Sequence, residues 1–172
     1  MMTRLVVDRT IVWKLTWLGI AAAWLAVAAA PSSAQTEPNL TGAYAGVTSP
    51  GYDPGPPPTL TLDIAATGFA TQLGHFTLVG QQVVNLPTGT YTGSYTFTVT
   101  GGDTLTATTA GIRLLCLASG AFSLQESFTI TGGTGRFAGA TGEGTGLGVF
   151  GSATDQIALV FSGTLSTSPT GR

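Results

Sequence analysis

The sequence predicts an all-β domain, a closed antiparallel barrel of about eight strands, set behind an export signal. Three observations carry this. Residues 35–172 hold 27 Thr and 24 Gly; Thr is stiff at χ1 and favours the pleated backbone, while Gly marks bends and bulges. No window of that stretch places apolar residues at i, i+3, i+4 and i+7, the stripe of a helix. Runs with strand character instead recur at roughly ten-residue spacing, as in a sandwich or barrel.

The first 34 residues stand apart. Arg4, Arg9 and Lys14 make a basic region, and Leu15 to Ala30 is an apolar run of 16 residues. Pro31-Ser32-Ser33-Ala34 then puts small residues where a signal peptidase cuts. The run falls short of the ~20 residues that span a bilayer, so residues 1–34 read as a cleavable signal peptide. The expected location is outside the cytoplasm, periplasmic or extracellular, with no stable membrane association once the signal is removed.

Charge narrows the partners. Only 8% of residues are charged, against the usual ~25%. Past Ala34 seven acidic residues face Arg113, Arg136 and Arg172, a net charge of −4 with no Lys. Such a surface has no basic patch to neutralise phosphates, which argues against nucleic acid and against anionic lipid. Cys116 is the only cysteine, so no internal disulfide can form; it reads as a small buried hydrophobe, with a link to a second chain as the alternative. A domain of ~140 residues buries roughly two-thirds of its unfolded surface, enough for a core without staples.

Residues 35–58 end in a Pro/Gly-dense run, Pro50 to Pro58, and read as an N-terminal arm with room for a short strand at 41–47. The barrel is expected over 59–172, with strands at 59–67, 72–80, 91–100, 103–109, 112–118, 122–131, 143–150 and 155–165. The plainest alternation sets Tyr91, Tyr95, Phe97 and Val99 against Thr92, Ser94, Thr96, Thr98 and Thr100.

Two turns bear on register. After Thr100, a two-residue Gly101-Gly102 loop would set apolar residues against polar ones. A three-residue loop pairs Val99 with Leu105 and Phe97 with Ala107, so the hydrophobic pattern selects it, and Asp103 then supports the turn. A tight turn at Ser119-Gly120 pairs Leu117 with Phe122, Leu115 with Leu124, Gly111 with Phe128, and Arg113 with Glu126. Both charges then lie on the inward face. Two charges taken into a barrel cost several kcal/mol each unless paired and hydrogen-bonded, so the pair is the candidate site. Glu126 is the candidate acid, base or orienting carboxylate, and Arg113 would hold it ionised or bind an anionic head group. The competing reading is a half-solvated cross-strand pair at a barrel end. Phe97, Leu115 and Phe128 join the pair as the expected ligand-lining residues.

Other features carry no chemistry. His75 is the only histidine and has no partners with metal-ligand spacing; no metal and no cofactor is expected. Gly146-Leu147-Gly148-Val149-Phe150-Gly151 is a literal G-x-G-x-x-G but has no βαβ unit around it. Ile112, Leu114 and Cys116 fall on the outward face, and an apolar stripe there favours a homo-oligomer, with the N-terminal arm as the alternative cover.

The segment Phe128-Thr129-Ile130-Thr131-Gly132-Gly133-Thr134-Gly135-Arg136-Phe137-Ala138-Gly139 resembles the late strand and glycine turn of the allene oxide cyclase and dirigent barrel superfamily. Ala70 to Thr77 and Thr100 to Leu105 are similar to exported bacterial relatives of unassigned function, which are expected to carry His where Gln72 stands here. The resemblance spans about residues 59–166. It implies an eight-stranded, calycin-like barrel with an apolar lumen, often oligomeric, in which plant members cyclise a fatty-acid epoxide or steer phenoxy-radical coupling. No catalytic residue transfers position by position.

Three functions follow as expectations: binding of a small apolar or amphipathic molecule in the lumen, a cyclase, isomerase or dirigent-type role on a reactive lipid or phenolic intermediate, or a structural protein with a packed, ligand-free barrel.

Overall fold

A computed structural model describes residues 39–116 and 120–167, the side chains of Leu115 and Cys116 excepted; the signal peptide expected at 1–34 lies outside these residues. Eight strands, β1 (Leu40–Asp53), β2 (Thr59–Ala70), β3 (Gly74–Asn85), β4 (Thr90–Val99), β5 (Thr104–Cys116), β6 (Ala121–Gly133), β7 (Gly142–Gly151) and β8 (Gln156–Gly163), follow one another around a closed barrel. Every neighbouring pair is antiparallel, and β8 returns to β1. Closure leaves no free sheet edge.

The expected fold class holds, but two strands were mislaid. The short strand expected at 41–47 is part of a longer one, and residues 40–53 are not an arm; they form β1, hydrogen-bonded to β2 and β8. Its alternation is inverted, with Ala43, Ala45 and Val47 outward and Gly42, Tyr44, Gly46 and Thr48 inward, so hydrophobicity concealed it. Only 54–58 remains a Pro-rich loop. Conversely, the strands expected at 103–109 and 112–118 fall, over residues 104–116, on the single strand β5, which runs unbroken through Gly111; residues 117 and 118 lie outside the described residues.

Both hairpin registers differ from expectation by two residues. Val99 N–H donates to the Asp103 carbonyl at 3.0 Å, and Gly101 and Gly102 take φ of +105° and +90°, so the turn is 100–102. Phe97 therefore faces Leu105, and Tyr95 faces Ala107. In the next hairpin Cys116 faces Ala121, Arg113 faces Leu124 and Gly111 faces Glu126. A shift of two leaves every side chain on its expected face. The alternating pattern specifies register only modulo two, and loop geometry sets the remainder.

The interior is filled by setting small residues against large ones. Inward Gly80 lies against the Tyr95 ring, Gly111 against Tyr91, and Gly144 against Phe128; a Cβ on Gly80 would come within 2.5 Å of Tyr95 and one on Gly111 within 2.6 Å of Tyr91. The space so freed takes Phe76, Phe97, Phe128 and Phe161, whose rings meet edge-on or tilted with centroids 5.2–6.5 Å apart, the favoured geometry for aromatic quadrupoles. Gly146 and Gly148 of the 146–151 motif belong to this packing, and the whole motif lies on β7 and not in a phosphate loop.

One end of the barrel is stoppered. A 3₁₀ turn at Gly135–Phe137 buries Phe137 within the core. Asp103 Oδ2 accepts the Arg136 N–H at 3.2 Å, and Arg136 Nη2 donates to the Leu73 carbonyl at 2.9 Å. The Asp103 carboxylate thus supports the 3₁₀ turn rather than the Gly101-Gly102 turn it was expected to support. Asn39 ties the chain ends of the barrel together, donating to the Leu165 carbonyl at 3.0 Å and accepting its N–H at 2.7 Å.

If small-against-large packing holds the fold, Gly144→Val should lower unfolding free energy by about 1–3 kcal/mol or more through overpacking. Thr92→Val, outward on β4, should stay within about 0.5 kcal/mol of wild type. Urea titration of both variants checks this; equal small effects would refute it.

Candidate functional site

Glu126 is the one buried charged residue of the barrel interior among the described residues, 6% exposed. It points inward from β6 because it alternates with Leu124, Phe128 and Ile130, all buried. Gly111 and Gly146, its neighbours across the ladder, leave it room. Two phenols reach it: Tyr91 and Tyr95 on β4 each donate to Oε2 at 3.1 Å. The Tyr95 oxygen in turn accepts from Gln82 Nε2 at 2.6 Å and from the Tyr44 hydroxyl at 3.3 Å. One phenol therefore joins β1, β3, β4 and β6. No buried side-chain nitrogen or oxygen among the described residues lacks a partner.

Among the described residues this carboxyl has no cation paired with it. Arg113 forms no ion pair with Glu126; the expected pairing is corrected by the register, which puts Arg113 opposite Leu124. Its guanidinium lies instead 4.3 Å from the centre of the Phe122 ring and 5.8 Å from that of Phe150, a cation–π arrangement near the end of the barrel opposite the stopper. Partial burial lowers the guanidinium's pKa. Burial raises the pKa of Glu126; hydroxyls of Thr109, Tyr95 and Tyr91 oppose this by favouring the ionised form. Burial, reinforced by the nearby carboxylate, also pushes the phenols of Tyr44 and Tyr91 far above their usual range, and burial is the main cause for Tyr95 as well.

A cavity of about 20 Å³ lies beside Glu126, lined by Tyr44, Tyr95, Phe97, Phe128 and Phe161 among others. That volume holds about one water. Of the residues expected to line a ligand site, Phe97, Phe128 and Glu126 meet at this cavity, while Arg113 does not. The Leu115 side chain lies outside the described residues; its backbone faces Phe122. Of the outward stripe, Leu114 is exposed and Ile112 half-buried, and the Cys116 side chain is outside the described residues. His75 is exposed, edge-on to Phe69 at 5.2 Å.

Sequence reasoning placed Tyr91 and Tyr95 inside but missed Tyr44 and Gln82. Tyr44 was lost with β1. Gln82 sits between Gly80 and Val84 on the inward side of β3, and the only signal was a polar residue on an apolar parity.

The chain matches no protein-family model, no curated protein and no solved structure.

Two outcomes are expected of this site. Because the folded pKa of Glu126 lies above its unfolded value, its contribution to stability is fully present below about pH 4.3 and is lost as pH rises through the folded pKa. Unfolding titrations of wild type and Glu126→Gln between acid and neutral pH should therefore diverge, the variant gaining on wild type as pH rises; parallel curves would contradict a raised pKa. In a double-mutant cycle, Arg113→Met and Glu126→Gln should be additive within about 0.5 kcal/mol, as expected of groups that do not touch.

Proposed function

We propose that this chain is an exported structural barrel, filled by its own side chains, whose contacts with other molecules are made by its outer surface. The observation that carries this reading is the interior cavity of about 20 Å³, far below the ~300 Å³ at which small-molecule pockets begin. An eight-stranded barrel is narrow enough for side chains to fill it, and the inward aromatic rings seated against glycines do so. Export rests on the basic region, apolar run and small-residue cleavage site of residues 1–34. Binding of a small apolar molecule in the lumen has less support, since it counted on an open interior with a guanidinium at the polar end.

One observation favours a second reading. A buried carboxyl held by two phenols is an arrangement suited to proton transfer. With the resemblance to the allene oxide cyclase and dirigent barrels, it would fit a cyclase or isomerase acting on a ligand that enters by displacing aromatic side chains. Glu126 would then be the acid or base.

Native mass spectrometry with cis-parinaric acid, a fluorescent fatty acid, separates the readings. Wild type should form no one-to-one complex, whereas Phe128→Ala, which opens the cavity, should take up the probe and so prove the assay. Saturable one-to-one binding by wild type that Glu126→Gln weakens would overturn the sealed barrel in favour of the second reading.

A further inference from the structure

At the end away from the stopper the barrel wall is uneven. β8 pairs with β1 only as far as Val47, and β4 with β5 only as far as Ile112. β2 follows β1 to Asp53, and β6 follows β5 to Cys116. The hairpins β1–β2 and β5–β6 each run on past a neighbour at this end. They stand on opposite sides of the ring, with β3 and β4 between them one way and β7 and β8 the other. The β5–β6 hairpin carries Arg113 and Phe122 on its inward parity. The β1–β2 hairpin carries Tyr52 and Leu60, a ladder pair that continues the inward alternation of Tyr44 and Thr48 on β1 and of Leu62 and Ile64 on β2. Leu60 and Phe122 are half-buried, and Tyr52 is 65% exposed although it sits on an inward parity.

Separated from Glu126 by the register, Arg113 is a cation without an acid. Among the described residues its guanidinium donates no hydrogen bond and forms no ion pair, and burial alone moves its pKa. It is seated on hydrocarbon, 4.3 Å from the centre of the Phe122 ring, which stacks on Phe150 with centroids 6.2 Å apart. A ring takes up no ordinary hydrogen bond, so the guanidinium N–H donors are left for an oxyanion. Asp53, the nearest acid along the β1–β2 hairpin, lies on the outward parity and accepts the Gly55 N–H at 2.9 Å.

We infer that this end of the barrel binds an organic carboxylate, its charge held by Arg113 and its apolar body laid between the two hairpins against Phe122, Leu60 and Tyr52. The planar guanidinium matches a carboxylate through two parallel N–H bonds. The surroundings favour a singly charged group. Aromatic faces carry partial negative charge, and one guanidinium neutralises a carboxylate but leaves a phosphate dianion with charge in excess beside those rings. The half-buried Phe122 and the exposed Tyr52 supply the apolar surface that the body of such an acid covers. The ligand rests on the rim and does not enter the lumen, so this inference goes beyond the sealed barrel and does not depend on it.

An amide NMR titration of the isotope-labelled protein with benzoate tests it. Benzoate should shift the amides of Gly89, Arg113 and Phe122 saturably and leave those of Phe137 and Ala140, at the stoppered end, in place. Benzyl alcohol has the body without the charge and acetate the charge without the body; each should bind about tenfold more weakly or worse. Arg113→Met should weaken benzoate by about tenfold or more, and Arg113→Lys, which keeps the charge but not the fork, by less. Glu126→Gln should bind as wild type does. Wild type without saturable shifts up to the solubility of benzoate would overturn the rim site and leave the sealed barrel standing. Undiminished binding by an Arg113→Met protein whose spectrum is otherwise that of wild type would overturn it too. Should that variant lose its fold, the comparison of benzoate with benzyl alcohol decides instead, equal affinities overturning the site. Weakening by Glu126→Gln and not by Arg113→Met would put the probe in the lumen, against both the rim site and the sealed barrel.

Discussion

The width of a closed eight-stranded barrel is the constraint to which everything else answers. Such an interior admits side chains and little more, so most large rings directed inward are matched by a glycine on a neighbouring strand. Gly80 under Tyr95, Gly111 beside Tyr91 and Gly144 beside Phe128 are that match. The glycine content is therefore spent less on turns than on the inner wall. It also explains a motif that has the letters of a nucleotide-binding loop but lies wholly within β7.

Within that apolar filling, one polar layer survives because it is complete. A buried, unpaired carboxylate would cost several kcal/mol. Here Glu126 is met by two phenols, and the Tyr95 oxygen is itself met by Gln82 and Tyr44. Four strands are cross-linked through one hydroxyl. Because a fully satisfied buried network specifies a unique arrangement as well as stabilising it, the layer fixes the edge-on placement of the Tyr44 ring against that of Tyr95. Arg113, the cation expected beside the carboxyl, is engaged elsewhere, over Phe122.

The exterior follows from the same inversion that fills the interior. On β1 the inward positions are given to Gly42, Tyr44, Gly46 and Thr48, so the aliphatic residues Ala43, Ala45 and Val47 fall outside. On β7, Gly144, Gly146 and Gly148 turn in and Leu147 and Val149 turn out. Making room for aromatic rings in the lumen has put hydrocarbon on the surface of the same strands. β4, with Tyr91, Tyr95 and Phe97 inside, carries threonine outside instead.

What the amino-acid sequence determined unaided was the class of structure and the faces of β4 and of the β5–β6 hairpin. The run of Thr and Gly without helical periodicity predicted a barrel, and the alternation of β4 put Tyr91, Tyr95 and Phe97 inside. It placed Glu126 inward as well, because parity survives a register error of two. What only the tertiary structure decided was which inward residues meet. Alternation has period two, so it cannot tell Arg113 opposite Glu126 from Arg113 opposite Leu124; loop length makes that choice, and it separated the two charges. Nor could hydrophobicity find more of β1 than a short strand at 41–47, since between Leu40 and Thr48 its inward face is glycine and tyrosine. Tyr44 and Gln82 reach Tyr95 from strands remote from it in the chain or unremarked in pattern, and only closure of the barrel brings them to one hydroxyl.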